Sequence, residues 1–454
     1  MIKIKIPNNN INERKYIIDI LFGEFLELHY KIEIGSQNYK IILENGNTLI
    51  IEDHFFNKFS NDLEYLKEEN IPKSIEFAKN DFIVEVDIPI IYGANTLETA
   101  KTKNQKPKTI ICGIDVFASS FFMLTRWEEY VNKTRDNHNR FPAYESLAYK
   151  QGFLDRPVVN EYVEMIKSML LSLGAGQKFK NRNYQLVLTH DVDNVLLFET
   201  YKDVIKKVGG DLLKRKNPIM ALKTILEYIQ IRLGIKKDPY DTFDWLMEMS
   251  EEADAKSYFF FMAKGKTKYD NRYKSNSKFV QDLAKKIKQR GHYIGIHPTY
   301  DAYSNVVQLK KEKEEIENSL NTKIAFGREH YLRFEVPITW QIWEDNGMEW
   351  DSTCGYADKE GFRCGVCYPY SVFNILSRKK LLLKEKPLIV MEGSFVTYQD
   401  ITRHEMENKI KLLINTVKKY NGEFMLLWHN SSFNVDFWKK YECIYEKVLM
   451  KKEI

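Results

Sequence analysis

The chain has 454 residues, which is long for one domain and suggests two or three. Hydrophobic residues make up 44% and charged residues 29%, ordinary for a globular protein. A net charge of +5 is small for this length and gives no support to a nucleic-acid-binding role.

Five scattered Cys residues make no disulfide framework and fit a reducing cytosol. The opening MIKIKIPNNNINERKY lacks a basic start, an apolar core and a small-residue cleavage site, so no signal peptide is expected. No apolar run approaches the roughly 20 residues that span a bilayer. A cytoplasmic location is the expectation, and enrichment in Lys, Asn and Ile hints at an AT-rich bacterial genome.

Residues 1–180 read as a mixed α/β unit. Tyr39–Glu52 predicts a hairpin turning at Asn45-Gly46, a favoured two-residue turn. Ile110–Tyr130 begins as a strand and continues as a helix through Phe121, Met123, Leu124 and Trp127. Arg135–Arg140 with Phe141-Pro142 reads as a polar loop. Pro157–Leu173 predicts a helix with Pro in its first turn and Gly174 just past its end. His29, His54 and His138 stand alone and have no catalytic spacing. The polar segment Gly174–Asn183 places a domain boundary near residue 180.

Residues 181–454 alternate short apolar strands with helical stretches, the rhythm of parallel βα units. The predicted strands are Gln185–Thr189, Ser257–Met262, Tyr293–Ile296, Ile324–Gly327, Met348–Trp350, Pro387–Met391 and Phe424–Trp428. Polar residues follow their C-terminal ends: Asp191 and Asp193, His297, Arg328 with His330 and Tyr331, Asp351, Glu392, and His429 with Asn430. Barrels and open α/β sheets place active sites at such ends. Seven strands predict an incomplete or distorted (β/α) barrel. The stretch of about 200–238 interrupts the rhythm with a basic helical pattern, Lys202 to Lys237. It reads as a solvated insertion or as a docking face for anionic lipid or a phosphate-bearing substrate.

In QLVLTHDVDN, Gln185–Asn194, side chains alternate, so Asp191 and Asp193 project to one face of a strand end. Paired carboxylates there suit a metal site or an acid/base pair. This segment, Gly291-His292 with His297, Arg328-Glu329-His330-Tyr331, Asp351-Ser352-Thr353 and Trp428-His429 occur in an order that resembles the polysaccharide deacetylase family, the NodB-homology domain of carbohydrate esterase family 4. The resemblance covers about residues 184–435. The N-terminal half, around Ser119–Tyr130, is similar to a companion domain of a cytoplasmic-looking subgroup.

The resemblance implies a distorted (β/α)7 barrel-like deacetylase domain after a mixed α/β domain. It also implies a metal-dependent enzyme acting on a saccharide that bears N-acetyl groups. It makes Asp191 the catalytic base, Asp193 and His297 metal ligands, and His429 the general acid. Arg328 orients the base, a backbone N–H near Tyr331 supports the oxyanion, and Asp351 lies near the motif that holds the Arg. His292 is structural.

Two departures stand out. Asp301 replaces the usual second His of the His297 motif, and His330 replaces a Pro. A catalytic ion needs about three protein ligands plus an open position. His330 is the preferred third ligand, Asp301 the alternative, and a site lacking one ligand the remaining case. Imidazole with carboxylate fits Zn²⁺, and also Co²⁺, Ni²⁺ or Fe²⁺. Cys364-Gly365-Val366-Cys367 lacks a second pair and reads as ordinary thiols. Tyr300, Tyr303, Trp340, Trp350, Tyr356 and Trp428 could stack on a sugar ring, although core packing is the preferred reading for any one of them.

Without a signal peptide, the expected substrate is a lipid-linked or nucleotide-linked glycan precursor. Three other readings stay open. They are a decayed carbohydrate-binding protein, an amidohydrolase of a non-sugar amide, and a glycoside hydrolase pairing Asp191 or Asp193 with Glu392. Oligomeric state is not legible.

Overall fold

The computed structural model describes residues 1–100, 108–265, 267–270, 273–399, 401–435 and 437–449. Its first sheet has six strands: β1 (Ile2–Ile6), β2 (Tyr30–Ile34), β3 (Tyr39–Ile42), β4 (Thr48–Ile51), β7 (Gly93–Ala100) and β8 (Thr109–Ile114). Their order is β2-β1-β3-β4-β8-β7. The short strands β5 (Glu76–Ala78) and β6 (Ile88–Ile90) pair separately.

The predicted hairpin forms, with β3 antiparallel to β4. Ile42 pairs with Thr48, so five residues connect the strands and Asn45-Gly46 sits inside a longer loop than the two-residue turn expected. The amides of Asn45 and Asn47 both donate to the Leu173 carbonyl, at 2.9 and 2.8 Å. This ties the loop to the end of the helix Val158–Ser172. The predicted helix after β8 is split at Arg126, whose φ of 53° separates Val116–Thr125 from Trp127–Val131. Asp115 caps the first piece by accepting from the Ala118 N–H at 3.0 Å. The segment from 174 to 184 has neither helix nor strand.

The second sheet contains all seven strands read from the sequence: β9 (Gln185–Val192), β10 (Ser257–Phe261), β11 (Tyr293–Ile296), β12 (Phe326–Gly327), β13 (Trp350–Asp351), β16 (Val390–Met391) and β17 (Glu423–Leu427). It also has a hairpin that was not anticipated, β14 (Tyr370–Asn374) and β15 (Lys379–Glu385). The order is β14-β15-β13-β12-β11-β10-β9-β17-β16, parallel except for β14 against β15. The expected barrel is not closed by pairing. Among the described residues no ladder joins β16 to β15, and the β14/β15 hairpin occupies the far edge.

Gly327 allows β12 to lie close against β11, because a Cβ there would collide with the Ile296 carbonyl. This close approach brings the chain after β11 beside the chain after β12.

The two sheets share one apolar core, joined at the β14/β15 hairpin. Tyr16 packs on Phe373 with ring centroids 4.6 Å apart and donates to the Ser371 carbonyl. Beneath this contact lies a buried ionic cluster. Glu129 receives Arg363 at 2.9 and 2.5 Å and Arg126 at 2.9 Å. Burial opposes a charge on Glu129, and the two guanidiniums outweigh it, holding the carboxyl down at about 2. Glu128 is lifted by burial to about 7, because Arg126 only partly offsets the desolvation.

Removing one partner of such a cluster leaves uncompensated buried charge. Glu129→Ala is expected to cost about 3–5 kcal/mol, read as a lower urea midpoint at unchanged slope.

Candidate active site

The site is built at the C-terminal ends of β9, β11, β12, β16 and β17. On β9 the alternation expected from the sequence holds. His190 points away from the site, into the body. Its ring nitrogens meet the Trp428 carbonyl at 2.7 Å and Ser257 Oγ at 3.0 Å, and burial pushes it down to about 4, so it stays neutral.

Asp191 and Asp193 face the other way. Asp191 Oδ1 accepts from Arg328 Nη1 at 2.9 Å. Asp193 Oδ1 lies 3.3 Å from His297 Nε2 and 3.5 Å from His330 Nδ1. Burial favours a neutral Asp193, but His330, His297 and His429 outweigh it and hold the carboxyl well below the usual range.

The two imidazoles define the centre. His297 Nδ1 contacts the Arg328 carbonyl at 2.6 Å, and His330 Nε2 contacts the Tyr269 carbonyl at 2.9 Å. A carbonyl only accepts, so these two nitrogens carry the hydrogens. In the neutral rings His297 Nε2 and His330 Nδ1 are therefore both lone-pair donors, and they face each other at 2.9 Å. Two lone pairs at that distance repel unless a proton or a metal cation lies between or beside them. Asp193 Oδ1 adjoins both, is buried, and has no hydrogen-bond partner among the described residues. These three atoms lie within 4.8 Å of one another, and the donor set fits a divalent ion. Carbonyls behind the ligand imidazoles fix their tautomers, as metal sites require.

Asp301 is not part of this group. It is exposed, and its Oδ1 pairs with Arg333 Nη1 at 3.0 Å. Of the two third-ligand candidates, only His330 is brought to Asp193 and His297.

His429 stands on the opposite side. Glu392 Oε1 accepts both its backbone N–H at 2.9 Å and its Nδ1 at 2.7 Å, which turns Nε2 toward Asp193 Oδ2 at 3.8 Å. Burial opposes protonation, and the Glu392 carboxylate overrules it, lifting the imidazole to about 10. Arg328 is clamped through Nε to the Ser352 carbonyl (2.8 Å) and through Nη2 to Ser352 Oγ (2.9 Å), while Nη1 also reaches Thr189 Oγ1 (3.0 Å). Asp351 is adjacent rather than in the clamp. Its carboxylate accepts from the Thr353 N–H and hydroxyl, and burial lifts it to about 7. Tyr331 lines the pocket in a left-handed conformation, φ 61°.

The pocket has a volume of about 370 Å³. Its walls include Tyr269, Tyr331, Tyr398, Trp438, Met391 and Arg140. None of the six aromatic residues singled out in the sequence lines it. Trp340 and Trp428 are fully buried, Tyr303 and Tyr356 nearly so, Trp350 stacks on Phe326, and Tyr300 stacks behind Tyr269. Arg140 comes from the polar loop of the N-terminal half. It pairs with Asp136, donates to the Tyr331 carbonyl at 3.1 Å and to the Tyr398 hydroxyl at 2.9 Å. His138 of the same loop packs on Tyr331, with centroids 4.6 Å apart.

Sequence reading missed Arg140, Tyr269, Ser352 and the role of Glu392. Glu392 and Ser352, each just after an apolar strand, carried a positional signal. His292 is structural as expected, with Nδ1 accepting from the Ser257 N–H. Cys354, Cys364 and Cys367 are buried free thiols, and they form no metal-binding group among the described residues.

Residues 2–175 match a family described as one of unknown function, DUF7033. Comparison with curated proteins finds no match. Among solved structures, a Mycobacterium smegmatis protein titled as a polysaccharide deacetylase candidate is 12% identical, with a TM-score of 0.37 over 60% of this chain and 84% of its own. A mutant of a CE4-family pseudoenzyme with restored activity is 11% identical, with a TM-score of 0.28 over 60% of this chain and 64% of its own. An allantoinase is 12% identical, with a TM-score of 0.31 over 45% of this chain and 64% of its own. Likenesses this distant leave the function to the side chains of the site.

Elemental analysis is expected to find about one divalent ion per chain, the number one three-ligand site holds. The ion should be lost in His297→Ala and His330→Ala and retained in Asp301→Ala.

Proposed function

We propose that the chain is a metal-dependent hydrolase that removes the acetyl group from an N-acetylated sugar. One observation carries the reading. The donor triad Asp193, His297 and His330 lies between an Arg-held carboxylate, Asp191, and a Glu-held imidazole, His429. Residues 181–454 would form the catalytic domain, and residues 1–180 a companion whose loop walls the pocket with Arg140.

A divalent ion held by the triad, Zn²⁺ first and Co²⁺, Ni²⁺ or Fe²⁺ as alternatives, supplies Lewis acidity toward an amide carbonyl and acidifies water. The chain's own groups do the rest. Arg328 fixes the direction of Asp191 through its hydrogen bond, so that Asp191 can take the proton of the attacking water. A backbone N–H near Tyr331 supports the oxyanion. His429, protonated through its bond to Glu392, gives a proton to the departing amine as the C–N bond breaks. Acetate and an amino sugar leave. Ser352 positions Arg328 from behind.

The pairing of Glu392 with His429 speaks against the glycoside hydrolase reading, since that carboxylate is already committed to the imidazole. The intact donor triad speaks against a decayed site. A non-sugar amide remains the competitor, and a panel of N-acetylated sugars against simple amides separates the two. No chelator-sensitive acetate release from any N-acetylated sugar would sink the proposal.

Asp191→Asn is expected to lower kcat by roughly 10²–10⁴, the range of general-base catalysis, with metal content unchanged. Glu392→Gln removes the group that raises His429, so the acid should lose its proton at lower pH. The alkaline limb of the kcat profile should move downward in pH, a shift read directly from rates.

A further inference from the structure

Between β9 and β10 the chain leaves the fold as a helical hairpin, Tyr201–Leu213 and Pro218–Arg232. Its helices pack mainly on each other. The pair is held by Asp211, which accepts from Thr224 Oγ1 at 2.9 Å and from Arg215.

The outer face is unusual for a protein in water. Ile219, Leu222, Leu226, Ile229 and Leu233 recur at i, i+3, i+7, i+10 and i+14, the spacing of one helical face, and all are exposed, Ile219 and Leu233 each by 68%. Tyr201, Ile205 and Leu212 add exposed apolar surface on the first helix. The turn between the helices presents Leu213, 82% exposed, beside Lys214, Arg215 and Lys216. An exposed apolar face of this extent marks an interaction site.

Charge selects the partner. Residues 201–237 hold ten Lys and Arg against three Asp and Glu, while the whole chain is only +5, so the rest is slightly acidic. A second copy would set like charge against like charge. A soluble anion would leave the apolar stripe uncovered. Helices with one apolar face and flanking Lys and Arg suit the interface of an anionic bilayer, lying flat with the stripe in the acyl boundary.

We propose that the 201–237 hairpin is a peripheral docking element for anionic lipid membranes. Its stems leave the fold beside the active site. Asn430, next to His429, donates to the carbonyls of Asn194, next to Asp193, and of Tyr240, both at 2.9 Å. Asp238 accepts from the Leu197 and Phe198 N–H groups at 2.7 and 3.0 Å. The docking element is therefore rooted beside the site. A lipid-borne substrate would follow only if the hydrolase reading holds, whereas the docking stands without it.

The test is co-sedimentation of the full chain with phosphatidylglycerol/phosphatidylcholine vesicles and with phosphatidylcholine alone, which reads no activity. Wild type is expected to bind the anionic vesicles, less so as salt rises, and not the neutral ones. The triple change Lys214→Glu, Arg215→Glu, Lys216→Glu should weaken partitioning roughly tenfold or more. Leu222→Asn with Leu226→Asn and Leu233→Asn, all at exposed positions, should abolish it with an unchanged circular dichroism spectrum. Wild type that stays in the supernatant overturns the proposal. So does a stripe variant that binds as wild type does, which would leave charge alone. A dimer dissolved by the stripe changes, without vesicle binding, overturns it in favour of a second copy.

Discussion

Two imidazoles face each other through His297 Nε2 and His330 Nδ1, nitrogens that both carry lone pairs in the neutral rings, and the rest of the site follows from that constraint. Neither ring can turn to relieve it, because the outer nitrogen of each is tied to a backbone carbonyl. One of those carbonyls belongs to Arg328, the residue whose side chain holds Asp191. Arg328 thus sets the tautomer of His297 through its main chain and the direction of Asp191 through its side chain. The close packing of β12 on β11, permitted by Gly327, makes this double duty possible.

The proposed proton acceptor and proton donor are separated by what stands behind them. Asp191 has a guanidinium at its back, and His429 has a carboxylate. Each partner is opposite in charge to the group it supports, and the Glu392 carboxylate holds the His429 imidazole protonated. Asp193 lies between them, close to every imidazole of the cluster.

Much of this was legible in the sequence, and the limits have physical causes. The alternation of a β-strand has a period of two, so the direction of Asp191 and Asp193 against His190 could be read from QLVLTHDVDN. The seven parallel strands were legible because each is a short apolar run between helical segments. The β14/β15 hairpin was not, since it breaks the strand–helix rhythm that organised the reading. The choice between His330 and Asp301 rested on spatial proximity, which spacing alone does not encode. The pocket's aromatic wall was not identified for the same reason. Tyr269, Tyr398 and Trp438 lie outside the strands, and the aromatic residues near strand ends turned inward as core. The broken helix at Arg126 reflects a buried ionic cluster whose members are 234 positions apart, from Glu129 to Arg363.

The placement of Arg140 separates two kinds of information along the chain. Every side chain proposed to take part in bond making comes from Asp191 onward, while one wall of the reaction chamber is contributed by a loop some fifty positions earlier. Changes at Asp136, His138 or Arg140 can alter which molecules fit without replacing any side chain proposed to make or break a bond. Selectivity in this architecture can drift while the chemistry stays fixed.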